Sequence, residues 1–437
     1  MGTEKKYYIE TYGCEMNKSD SIDIALCLQD NGYEQAKSAV DADVVILNTC
    51  AVRENAEERI FGRLGYYRAL RKSSVKRPLI VLAGCMAQEK GEEITRSFPE
   101  VNIIAGTYHM LDIPAYVKKF EEEKSTQVAI DKSIYRFSEY KRDRAEGYKA
   151  WVNIIKGCSN YCSYCIVPYL RGHEISKKSE NILREVRDLA LNGVVEITLL
   201  GQNVNAYGRD NNDISFNRLL GKINDIDGIE WIRFLTSHPK DYDEEIVRRI
   251  SELPKVCKHF HLPLQSGSDR ILSLMNRKYT IYQYSVIIEA IRKYMPHASI
   301  TTDIIVGFPT ETERDFHLTL DAVQNFQFDD AFTYMYSERP FTRAADIGEK
   351  VHPTIAKRRL EELIEVQRNI SYEKNKNEIG RRKRVLIERM SKKDPSEFLC
   401  KTEIGKMVVV RTKARAGKFI DVMINDISGN TLRGAEL

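Results

Sequence analysis

Short apolar runs alternate with longer amphipathic stretches along most of this chain, and that alternation limits its fold more than any other feature. In the first 120 residues the amphipathic stretches include Asp20–Asn31 and Asn55–Leu70. Short buried strands separated by helices predict a parallel sheet covered by those helices. The strands predicted here are Lys6–Glu10, Val44–Asn48, Leu79–Ala83 and Asn102–Ala105. We therefore predict an N-terminal α/β domain with a mostly parallel sheet.

The same alternation resumes between residues 148 and 345. Helical stretches such as Ser179–Asn192 and Asp243–Leu253 separate six predicted strands: Ala150–Lys156, Glu196–Leu200, Trp231–Leu235, Phe260–Leu264, Ser299–Val306 and Asp330–Tyr336. Six successive βα units predict a partial (β/α)6 barrel, in which the loops after the strands carry the chemistry.

The last 60 or so residues follow a different pattern. Residues 354–378 are charged and helical, and from Arg384 onward the chain breaks into short β runs punctuated by Gly and Asn: Val385–Glu388, Met407–Val410 and Phe419–Ile424. This pattern predicts a small five-stranded β-barrel of OB-like kind. The predicted domains are then 1–122, 148–370 and 371–437, with a charged linker at 123–147.

Composition excludes a membrane-spanning or disulfide-rich secreted protein. No apolar run approaches the roughly 20 residues that a transmembrane helix needs. The N-terminal MGTEKK is not followed by the apolar h-region of a secretory signal, and nine cysteines in 437 residues are too sparse for a disulfide framework. We therefore expect a cytoplasmic protein.

Charge is unevenly distributed along the chain. Residues 371–437 hold 16 Lys and Arg against 9 Asp and Glu, or +7, whereas the whole chain carries only +4. A basic C-terminal module suggests a polyanionic partner, although charge alone fits a solvated basic surface equally well.

A cysteine motif, GCSNYCSYC, follows the first strand of the predicted barrel. Its residues Cys158, Cys162 and Cys165 have the spacing C-x3-C-x2-C, which is not a zinc-finger pattern. Three thiolates on one loop hold three irons of a [4Fe–4S] cluster and leave the fourth iron open. An open iron can chelate S-adenosylmethionine, whose reductive cleavage gives a 5′-deoxyadenosyl radical. A structural zinc site is the alternative, but no fourth ligand lies nearby in sequence.

Three further cysteines stand in equivalent positions. Cys14, Cys50 and Cys85 each come just after a predicted strand, in TYGC, LNTC and LAGC. Because the carboxyl ends of parallel strands converge on one edge of a sheet, these thiols predict a second three-cysteine cluster site. The alternative is three unrelated buried cysteines. We interpret the remaining three as core residues: Cys27, Cys257 and Cys400.

Three stretches around these cysteines are similar to motifs of the radical S-adenosylmethionine methylthiotransferase family: TYGCEMNKSD, NTCAVRENAEERIFGRLG and CSNYCSYCIVPYLRGHEIS. The resemblance covers nearly the whole chain. It implies an N-terminal methylthiotransferase domain, a central radical core and a C-terminal TRAM domain, which is a small RNA-binding β-barrel. Met16-Asn17 resembles the branch that acts on N(6)-dimethylallyladenosine in tRNA. The branches that act on threonylcarbamoyladenosine or on a ribosomal-protein aspartate remain alternatives.

The resemblance implies that a methylthio group is inserted at carbon 2 of N(6)-dimethylallyladenosine 37, next to the anticodon. It implies two [4Fe–4S] clusters and two molecules of S-adenosylmethionine per turnover. One molecule methylates a sulfur of the auxiliary cluster on the N-terminal cysteines, which is also the sulfur source, and the other is cleaved to the radical. The implied partners are the tRNA anticodon stem-loop, an electron donor of flavodoxin or ferredoxin type, and an iron–sulfur or sulfide supply system. We expect a monomer with no membrane association.

The resemblance also implies candidate binding residues. Tyr164, just before the last cysteine of the motif, takes the place of an aromatic residue that packs near the adenine of the cofactor. Further cofactor candidates at strand ends are Gly201, Gln202, Asn203, Gln265, Ser266, Gly267 and Asp303. Gly307 fits this role or a plain turn equally well. The predicted RNA contacts are Arg381, Arg382, Lys383 and Arg384.

Two further pairs of residues lie near the cysteine loop or at predicted strand ends. Arg171 and Gly172 close the cysteine loop and are candidates for contact with the auxiliary site. His238 and His261 lie at strand ends, where a lone histidine is more often a hydrogen-bonded structural residue than a ligand.

The chain departs from the family pattern at several positions. Glu15 replaces a Gln, and Thr310 stands where Gly is frequent. In YSERPFTRAA, Phe341 also replaces Gly, while Glu338 and Arg343 replace prolines. Loss of these residues predicts a changed backbone in the loop at 336–345.

A rival interpretation from another class is a non-catalytic zinc or RNA-binding protein. It predicts a colourless protein with bound zinc. The cluster interpretation predicts a brown protein with about eight irons.

Overall fold

The computed structural model describes residues 5–51, 54–73, 77–133, 135–138 and 147–437. The chain divides into two units, each described below by itself. The first unit comprises Met1–Arg142, Lys156–Ser159 and Ile166–Ile175. The second unit comprises Asp143–Ile155, Asn160–Cys165 and Ser176–Leu437.

The first unit is built on a six-stranded parallel sheet with the order β2-β1-β3-β4-β5-β6. Its strands are β1 (Lys6–Tyr12), β2 (Glu34–Gln35), β3 (Val44–Thr49), β4 (Leu79–Gly84), β5 (Val101–Ala105) and β6 (Gln127–Ala129). Its main helices are α1 (Glu15–Asp30), α2 (Glu54–Ser73), α3 (Cys85–Ser97) and α4 (Ile113–Glu123). The predicted N-terminal parallel α/β domain is therefore confirmed.

The central strands of this sheet are buried on both faces, as their unbroken apolar sequences require. All residues of β3 and β5 are buried. Because successive side chains of a strand point to opposite faces of the sheet, the strands contribute to two separate apolar clusters. One contains Val45 and Leu47 from β3 and the other contains Val44 and Ile46. Helices therefore cover both sides of the sheet.

Two boundaries in this unit differ from the sequence prediction. Helix α1 begins at Glu15 rather than Asp20, so Cys14 becomes its N-cap residue, with an extended backbone. Strand β6 lies inside the segment predicted to be a linker and adds a sixth strand to the sheet. An edge strand needs only one buried face. Val128 in β6 is exposed, so the sequence of β6 lacks the apolar run of a central strand. Residues 139–146 of that predicted linker lie outside the described residues.

The second unit contains six parallel strands in two groups, with the orders β11-β10-β7 and β12-β13-β14. The strands are β7 (Lys149–Asn153), β10 (Glu196–Leu200), β11 (Trp231–Phe234), β12 (His259–His261), β13 (Ser299–Val306) and β14 (Asp330–Met335); two short strands, β8 (Ile155–Lys156) and β9 (Ile175–Ser176), flank the cysteine loop in sequence. A parallel bridge between Ile232 and Val256 joins the end of the first group to the segment that leads into β12. This is the predicted partial (β/α)6 barrel.

Helices alternate with these strands and cover the barrel. They are α6 (Ser179–Leu191), α7 (Phe216–Asn224), α8 (Glu244–Glu252), α9 (Asp269–Leu274), α10 (Ile281–Tyr294), α11 (Glu313–Phe326) and α12 (Pro353–Lys376). Helix α5 (Val167–Arg171) belongs to the first unit. The apolar faces of α6 and α7 join strand residues in one large core. Among the described residues no helix is both long and apolar enough to cross a bilayer.

A closed five-stranded barrel forms the end of the chain, with the order β15-β16-β17-β19-β18. Its strands are β15 (Arg382–Met390), β16 (Glu397–Thr402), β17 (Met407–Arg411), β18 (Phe419–Ser428) and β19 (Thr431–Glu436). The prediction of a five-stranded barrel is confirmed. The sequence pattern had located three of its strands and missed β16 and β19, whose residues alternate with Lys, Arg and Glu.

A buried arginine attaches this barrel to the preceding domain within the second unit. Arg233 on β11 pairs with Glu196 at 2.7 Å and also donates to the carbonyl oxygens of Thr402 and Glu403. The hydroxyl of Tyr148 donates to the carbonyl of Glu388 on β15. The barrel is thus fixed against the central strands by buried polar contacts as well as by apolar packing.

The loops that depart from the family pattern keep a backbone suited to glycine. Thr310 has φ +67° and Phe341 has φ +66°, both in the left-handed region. The sequence predicted a changed backbone in the loop at 336–345, and that comparison with the family stays a prediction. Thr310 and Phe341 hold non-glycine side chains in a conformation that glycine adopts without strain. For a bulky residue such as Phe341 this conformation is a genuine outlier.

Replacing Phe341 by Gly is expected to stabilise the protein by about 1 kcal/mol. The left-handed conformation costs a non-Gly residue roughly 1–2 kcal/mol, and the greater freedom of Gly in the unfolded chain returns part of that gain. The side chain of Phe341 is 66% exposed, so its removal costs little buried area. Urea unfolding of the full chain measures the change. The matched control is Phe341→Ala, which removes the ring but keeps the strain. A glycine variant no more stable than the alanine variant would contradict this account.

Candidate active site

The register of the N-terminal sheet brings three cysteines to adjoining strand ends. Tyr12 pairs with Thr49, and Thr49 pairs with Gly84. Cys50 and Cys85 follow those paired residues directly, and Cys14 lies two residues beyond its own. The three thiols therefore occupy one edge of the sheet, as the sequence predicted. Their role as cluster ligands stays a prediction.

Two glycines explain how the chain fits around these cysteines. Gly13 has φ +144°, and a Cβ there would lie 2.5 Å from the Cβ of Cys50. Gly84 has φ +91°, and a Cβ there would lie 2.6 Å from the carbonyl oxygen of Thr49. Only glycine meets both requirements, the backbone conformation and the absent side chain. The Gly-Cys pairs in TYGC and LAGC thus build a tight cradle at the strand ends.

Asn17 links the parts of this cradle through side-chain hydrogen bonds. Its side-chain amide donates to Asn48 at 3.2 Å and to the carbonyl of Thr49 at 3.1 Å, and its oxygen lies 3.2 Å from the sulfur of Cys14. Asn17 is fully buried. Its contacts are with the cysteine scaffold, so Asn17 marks the substrate branch only by family resemblance.

A buried charge network lies beside the three cysteines. Asp20 on α1 is fully buried and pairs with Lys156 at 3.1 Å and with Arg171 at 2.8 Å. Arg171 also donates through Nε to the sulfur of Cys85 at 3.3 Å. Arg171 therefore contacts one of the three N-terminal cysteines, while its role at an auxiliary site stays a prediction. Gly172, the next residue, accepts a hydrogen bond from the backbone of Cys158 through its carbonyl.

This environment shifts the pKa values of the Cys14 and Cys85 thiols in opposite directions. A hydrogen bond with Cys50 lowers the pKa of Cys14 to about 6 against the opposing effect of burial, and the charge of Arg171 adds to the lowering. Burial raises the pKa of Cys85, although Arg171 opposes that effect. Cys14 and Cys85 stand at the N-terminal ends of α1 and α3, where a helix favours a thiolate. The donor set suits soft metal ligation.

In the second unit, the loop Asn160–Cys165 is held by the turn that follows α9. Ser163 donates its backbone N–H to the carbonyl of Met275 and its hydroxyl to that of Leu274. Asn276 donates to the carbonyl of Tyr161, which has φ +49°. The loop conformation is thus fixed by backbone contacts before any ligand binds.

Tyr164 and Cys162 have distinct surroundings in this loop. Tyr164 packs against Met275 and Phe308 in a small apolar cluster. Cys162 accepts a hydrogen bond from the buried guanidinium of Arg277 at 3.4 Å. Sequence reasoning did not identify Arg277, because it lies 115 residues away along the chain.

Several buried polar atoms at the strand ends of the second unit have no hydrogen-bond partner among the described residues. Such atoms are rare in folded proteins and are of the kind that bind a ligand or an ordered water. They include Asn153 Oδ1, Gln202 Oε1, His238 Nε2 and Gln265 Oε1. Gln265 also has φ +71°, a strained conformation of the kind found in binding sites. These atoms fit an amphipathic ligand such as S-adenosylmethionine.

His238 was interpreted from sequence as a hydrogen-bonded structural residue, but one of its ring nitrogens has no hydrogen-bond partner among the described residues. Its Nδ1 accepts from the backbone N–H of Lys240, so the ring proton lies on the unpartnered Nε2. Burial and the charges of Arg277 and Lys240 hold the pKa of His238 well below its usual range. His238 is therefore a neutral donor without an acceptor. His261, in contrast, contacts Thr301 and Asp303, as a structural histidine should.

The other cofactor candidates have internal partners. Asn203 is buried, donates to Asp241 at 2.7 Å and accepts from the backbone N–H of His238. Ser266 lies 3.4 Å from Thr319, and a Cβ on Gly267 would lie 2.3 Å from the carbonyl of Leu318.

Tight packing also accounts for two other glycine candidates. A Cβ on Gly201 would lie 2.3 Å from Ile155. Gly307 packs as closely on Ala356 and donates its backbone N–H to Glu311. Packing therefore explains these glycines without a ligand, while Gln202 and Gln265 have polar atoms still available.

An aromatic stripe lies on the edge strand β14. Phe332 is aligned with Asp303 and Tyr334 with Ile305 on the neighbouring strand. The rings of Phe332 and Tyr334 are 52% and 41% exposed. Because alternate residues share a face, both rings stand beside Asp303 on one face of the sheet. Sequence reasoning missed this stripe, since alternating aromatic residues also fit a buried strand.

The four predicted RNA contacts all lie near carboxylates. Arg382 pairs with Asp421 at 2.9 Å and Arg384 with Glu230 at 3.1 Å. Arg381 and Lys383 both pair with one acid, Glu378. Their role in RNA binding stays a prediction. These ion pairs reduce their availability for phosphate.

The remaining cysteines behave as predicted. Cys27, Cys257 and Cys400 are each at most 1% exposed and pack in the interior. Across the described residues, no three His, Cys, Asp or Glu side chains are grouped to hold one metal ion. Thiolates of a cluster bind different irons and so need not converge on one point.

Three family descriptions match this chain in succession. Residues 6–106 match Uncharacterized protein family UPF0004, residues 152–323 match the Radical SAM superfamily, and residues 376–436 match the TRAM domain. These domains, with a three-cysteine loop opening the central one, define a radical S-adenosylmethionine methylthiotransferase. The class carries a [4Fe–4S] cluster and uses S-adenosylmethionine.

Similar curated proteins identify the family within this class. A protein from Thermoanaerobacter pseudethanolicus is 46% identical over 99% of this chain and 93% of its own length. Another, from Dictyoglomus thermophilum, is 44% identical over 98% of both chains. Both are named tRNA-2-methylthio-N(6)-dimethylallyladenosine synthase. The chain belongs to the tRNA-2-methylthio-N(6)-dimethylallyladenosine synthase family.

Solved structures support the fold. The radical S-adenosylmethionine methyltransferase TsrM from Kitasatospora setae matches with a TM-score of 0.57 at 12% identity, over 78% of this chain and 74% of that one. The cobalamin-dependent S-adenosylmethionine radical enzyme OxsB matches with a TM-score of 0.54, over 83% of this chain and 56% of that one. At such low identity these likenesses concern the fold alone.

Proposed function

We propose that this protein inserts a methylthio group at carbon 2 of N(6)-dimethylallyladenosine 37 in tRNA. The observation that carries the proposal is the presence of two three-cysteine sets, one at the sheet edge of the first unit and one on the loop after β7. The chain that carries them is 46% identical to a synthase of that name over nearly its full length.

Each cysteine set is proposed to hold one [4Fe–4S] cluster. Cys158, Cys162 and Cys165 would hold the cluster that binds S-adenosylmethionine, and the family supports that cofactor pair. Cys14, Cys50 and Cys85 would hold the auxiliary cluster, which supplies the transferred sulfur. When bound, the clusters and cofactor supply a methyl group, a carbon radical and sulfur, with two S-adenosylmethionine molecules consumed per turnover. The protein's own contribution is to hold these groups and exclude water.

Different residues of the second unit are proposed to bind S-adenosylmethionine and the target base. The free polar atoms of Gln202, His238 and Gln265 would bind polar groups of S-adenosylmethionine, and Tyr164 would pack against its adenine. Phe332 and Tyr334 are proposed to stack the extruded target base, since aromatic rings commonly hold unstacked bases.

The proposed tRNA contacts lie at one end of the C-terminal barrel. Loops 391–396 and 412–418 adjoin the ends of β15 and β17, and Glu397 pairs with Arg411 in register there. Exposed cations cluster on these loops and on the strand end beside them, namely Arg389, Lys392, Lys393, Lys413 and Arg415. The four cations predicted from sequence lie instead at or just before the start of β15. An exposed cluster of this sign fits a phosphate backbone.

The proposal requires partners that supply electrons and sulfur. A flavodoxin or ferredoxin would deliver single electrons to the clusters. An iron–sulfur or sulfide supply system would restore the auxiliary cluster, because each turnover consumes one of its sulfurs.

Nucleoside analysis of tRNA tests the function directly. Expression of the full chain in a bacterial strain deleted for its own synthase is expected to convert N(6)-dimethylallyladenosine to its 2-methylthio derivative, as measured by mass spectrometry. The control is the same strain carrying the Cys158/Cys162/Cys165→Ala variant. Methylthio groups found only on threonylcarbamoyladenosine, or on a ribosomal-protein aspartate, would reject the proposed substrate. A colourless purified protein containing zinc would reject the enzyme class.

A further inference from the structure

Arg277 is a buried cation in the turn between α9 and α10. It is 8% exposed. Its guanidinium donates to the carbonyl of Pro263 at 2.8 Å, to the hydroxyl of Tyr279 at 3.0 Å and to the sulfur of Cys162 at 3.4 Å. Three of its five N–H donors are therefore used by the loop that carries Cys162 and by neighbouring residues.

None of these acceptors is a carboxylate. Among the described residues, no Asp or Glu lies within ion-pair distance of Arg277. Other buried arginines of this chain do have such a partner: Arg171 with Asp20, Arg233 with Glu196 and Arg359 with Glu311. Because an unpaired buried charge is costly, Arg277 needs an anion that the protein's carboxylates do not supply.

The group placed to supply that charge is the sulfur of Cys162. We propose that Arg277 is the counter-ion of the [4Fe–4S] cluster held by Cys158, Cys162 and Cys165, and that its charge makes this cluster easier to reduce. The inference rests on the proposed ligand assignment. Hydrogen bonds to ligand sulfurs and nearby positive charge favour the more negative, reduced form of a cluster. Arg277 is in this sense a positioning residue, since it acts through Cys162.

Arg171 provides an internal contrast in the first unit. It also donates to a cysteine sulfur, that of Cys85, but it pairs with a carboxylate, Asp20, which it shares with Lys156. The two arginines that donate to cysteine sulfurs thus differ in their other partners. Arg277, beside Cys162, is the one whose hydrogen bonds include no carboxylate.

The experiment measures the midpoint potential of the cluster by an anaerobic redox titration followed by electron paramagnetic resonance. The full chain carries Cys14/Cys50/Cys85→Ala, so that a single cluster signal remains. In that background we compare Arg277→Gln, Arg277→Lys and Arg270→Gln. Arg270 is the matched control, because it lies near the same turn but is half exposed and pairs with Asp315.

The expected result is a more negative midpoint for Arg277→Gln, recovery toward the parent value in Arg277→Lys, and no shift in Arg270→Gln. Loss of iron in Arg277→Gln with retention in Arg277→Lys also supports the charge role. An unshifted potential in Arg277→Gln with four irons bound overturns the proposal, and weaker S-adenosylmethionine binding in that variant would assign Arg277 to the cofactor instead. Loss of iron in both variants also overturns it. A parent protein without iron would reject the ligand assignment as well.

Discussion

Replacing Cys158, Cys162 and Cys165 together by alanine is expected to remove half of the bound iron and all reductive cleavage of S-adenosylmethionine. The family requires one [4Fe–4S] cluster for that cleavage, and its proposed ligands are the three cysteines on the loop after β7. With one cluster on each cysteine set, as proposed, about four of eight irons should remain, because the N-terminal set is untouched. Iron analysis and the yield of 5′-deoxyadenosine under reducing conditions give the two readouts.

The complementary variant separates the two sites. Cys14/Cys50/Cys85→Ala is expected to lose the other four irons and all methylthio product while retaining cleavage of S-adenosylmethionine. A suitable control is Cys27→Ala, which removes a buried thiol from α1 without touching either set. If the N-terminal variant kept eight irons, or if Cys27→Ala lost four, the division of the cysteines would be wrong.

The placement of these cysteines was predictable because parallel sheets have simple geometry. A residue just after a strand must lie at the carboxyl edge, and neighbouring strands bring such residues side by side. Cys50 and Cys85, one residue beyond the paired Thr49 and Gly84, follow this rule. The same reasoning located the central strands, whose apolar runs are unbroken. It missed β6, β16 and β19, because strands with one exposed face carry polar or charged residues, as loops do.

The charged surroundings of the sites could not be predicted in the same way. Arg277 and Cys162 are separated by 115 residues, and Arg171 and Asp20 by 151. No local pattern indicates which arginine will be buried without a carboxylate. The unpartnered atoms of His238 and Gln265 follow from side-chain orientation, which the order of residues does not specify. Sequence thus locates cysteines that recur at strand ends, whereas the charged groups beside them require the tertiary structure.

Replacing Asp20 by alanine is expected to destabilise the protein by about 3–5 kcal/mol, the usual cost of removing one partner from a buried ion pair. Asp20 is fully buried between Lys156 and Arg171, whose side chains are 5% and 6% exposed. Its loss leaves two cations without an anion beside Cys85. The free energy of unfolding of the full chain in urea, measured without oxygen, gives the change. The control on the same helix is Glu15→Ala, because the ion pair of Glu15 with Lys18 is exposed and worth less than about 1 kcal/mol.

The effect of Asp20 should also depend on pH in a defined direction. Burial alone would raise the pKa of this carboxyl, but the charges of Lys156 and Arg171 outweigh burial and lower it. A group whose pKa is lower in the folded state stabilises the protein above its unfolded pKa, here about 3.9, and loses that contribution as the pH falls further. The difference in stability between the parent protein and Asp20→Ala should therefore be constant near neutral pH and shrink below about pH 4. A difference that grew in acid would mean that Asp20 is protonated in the folded protein, and the two cations would then need another counter-charge at the cysteine cradle.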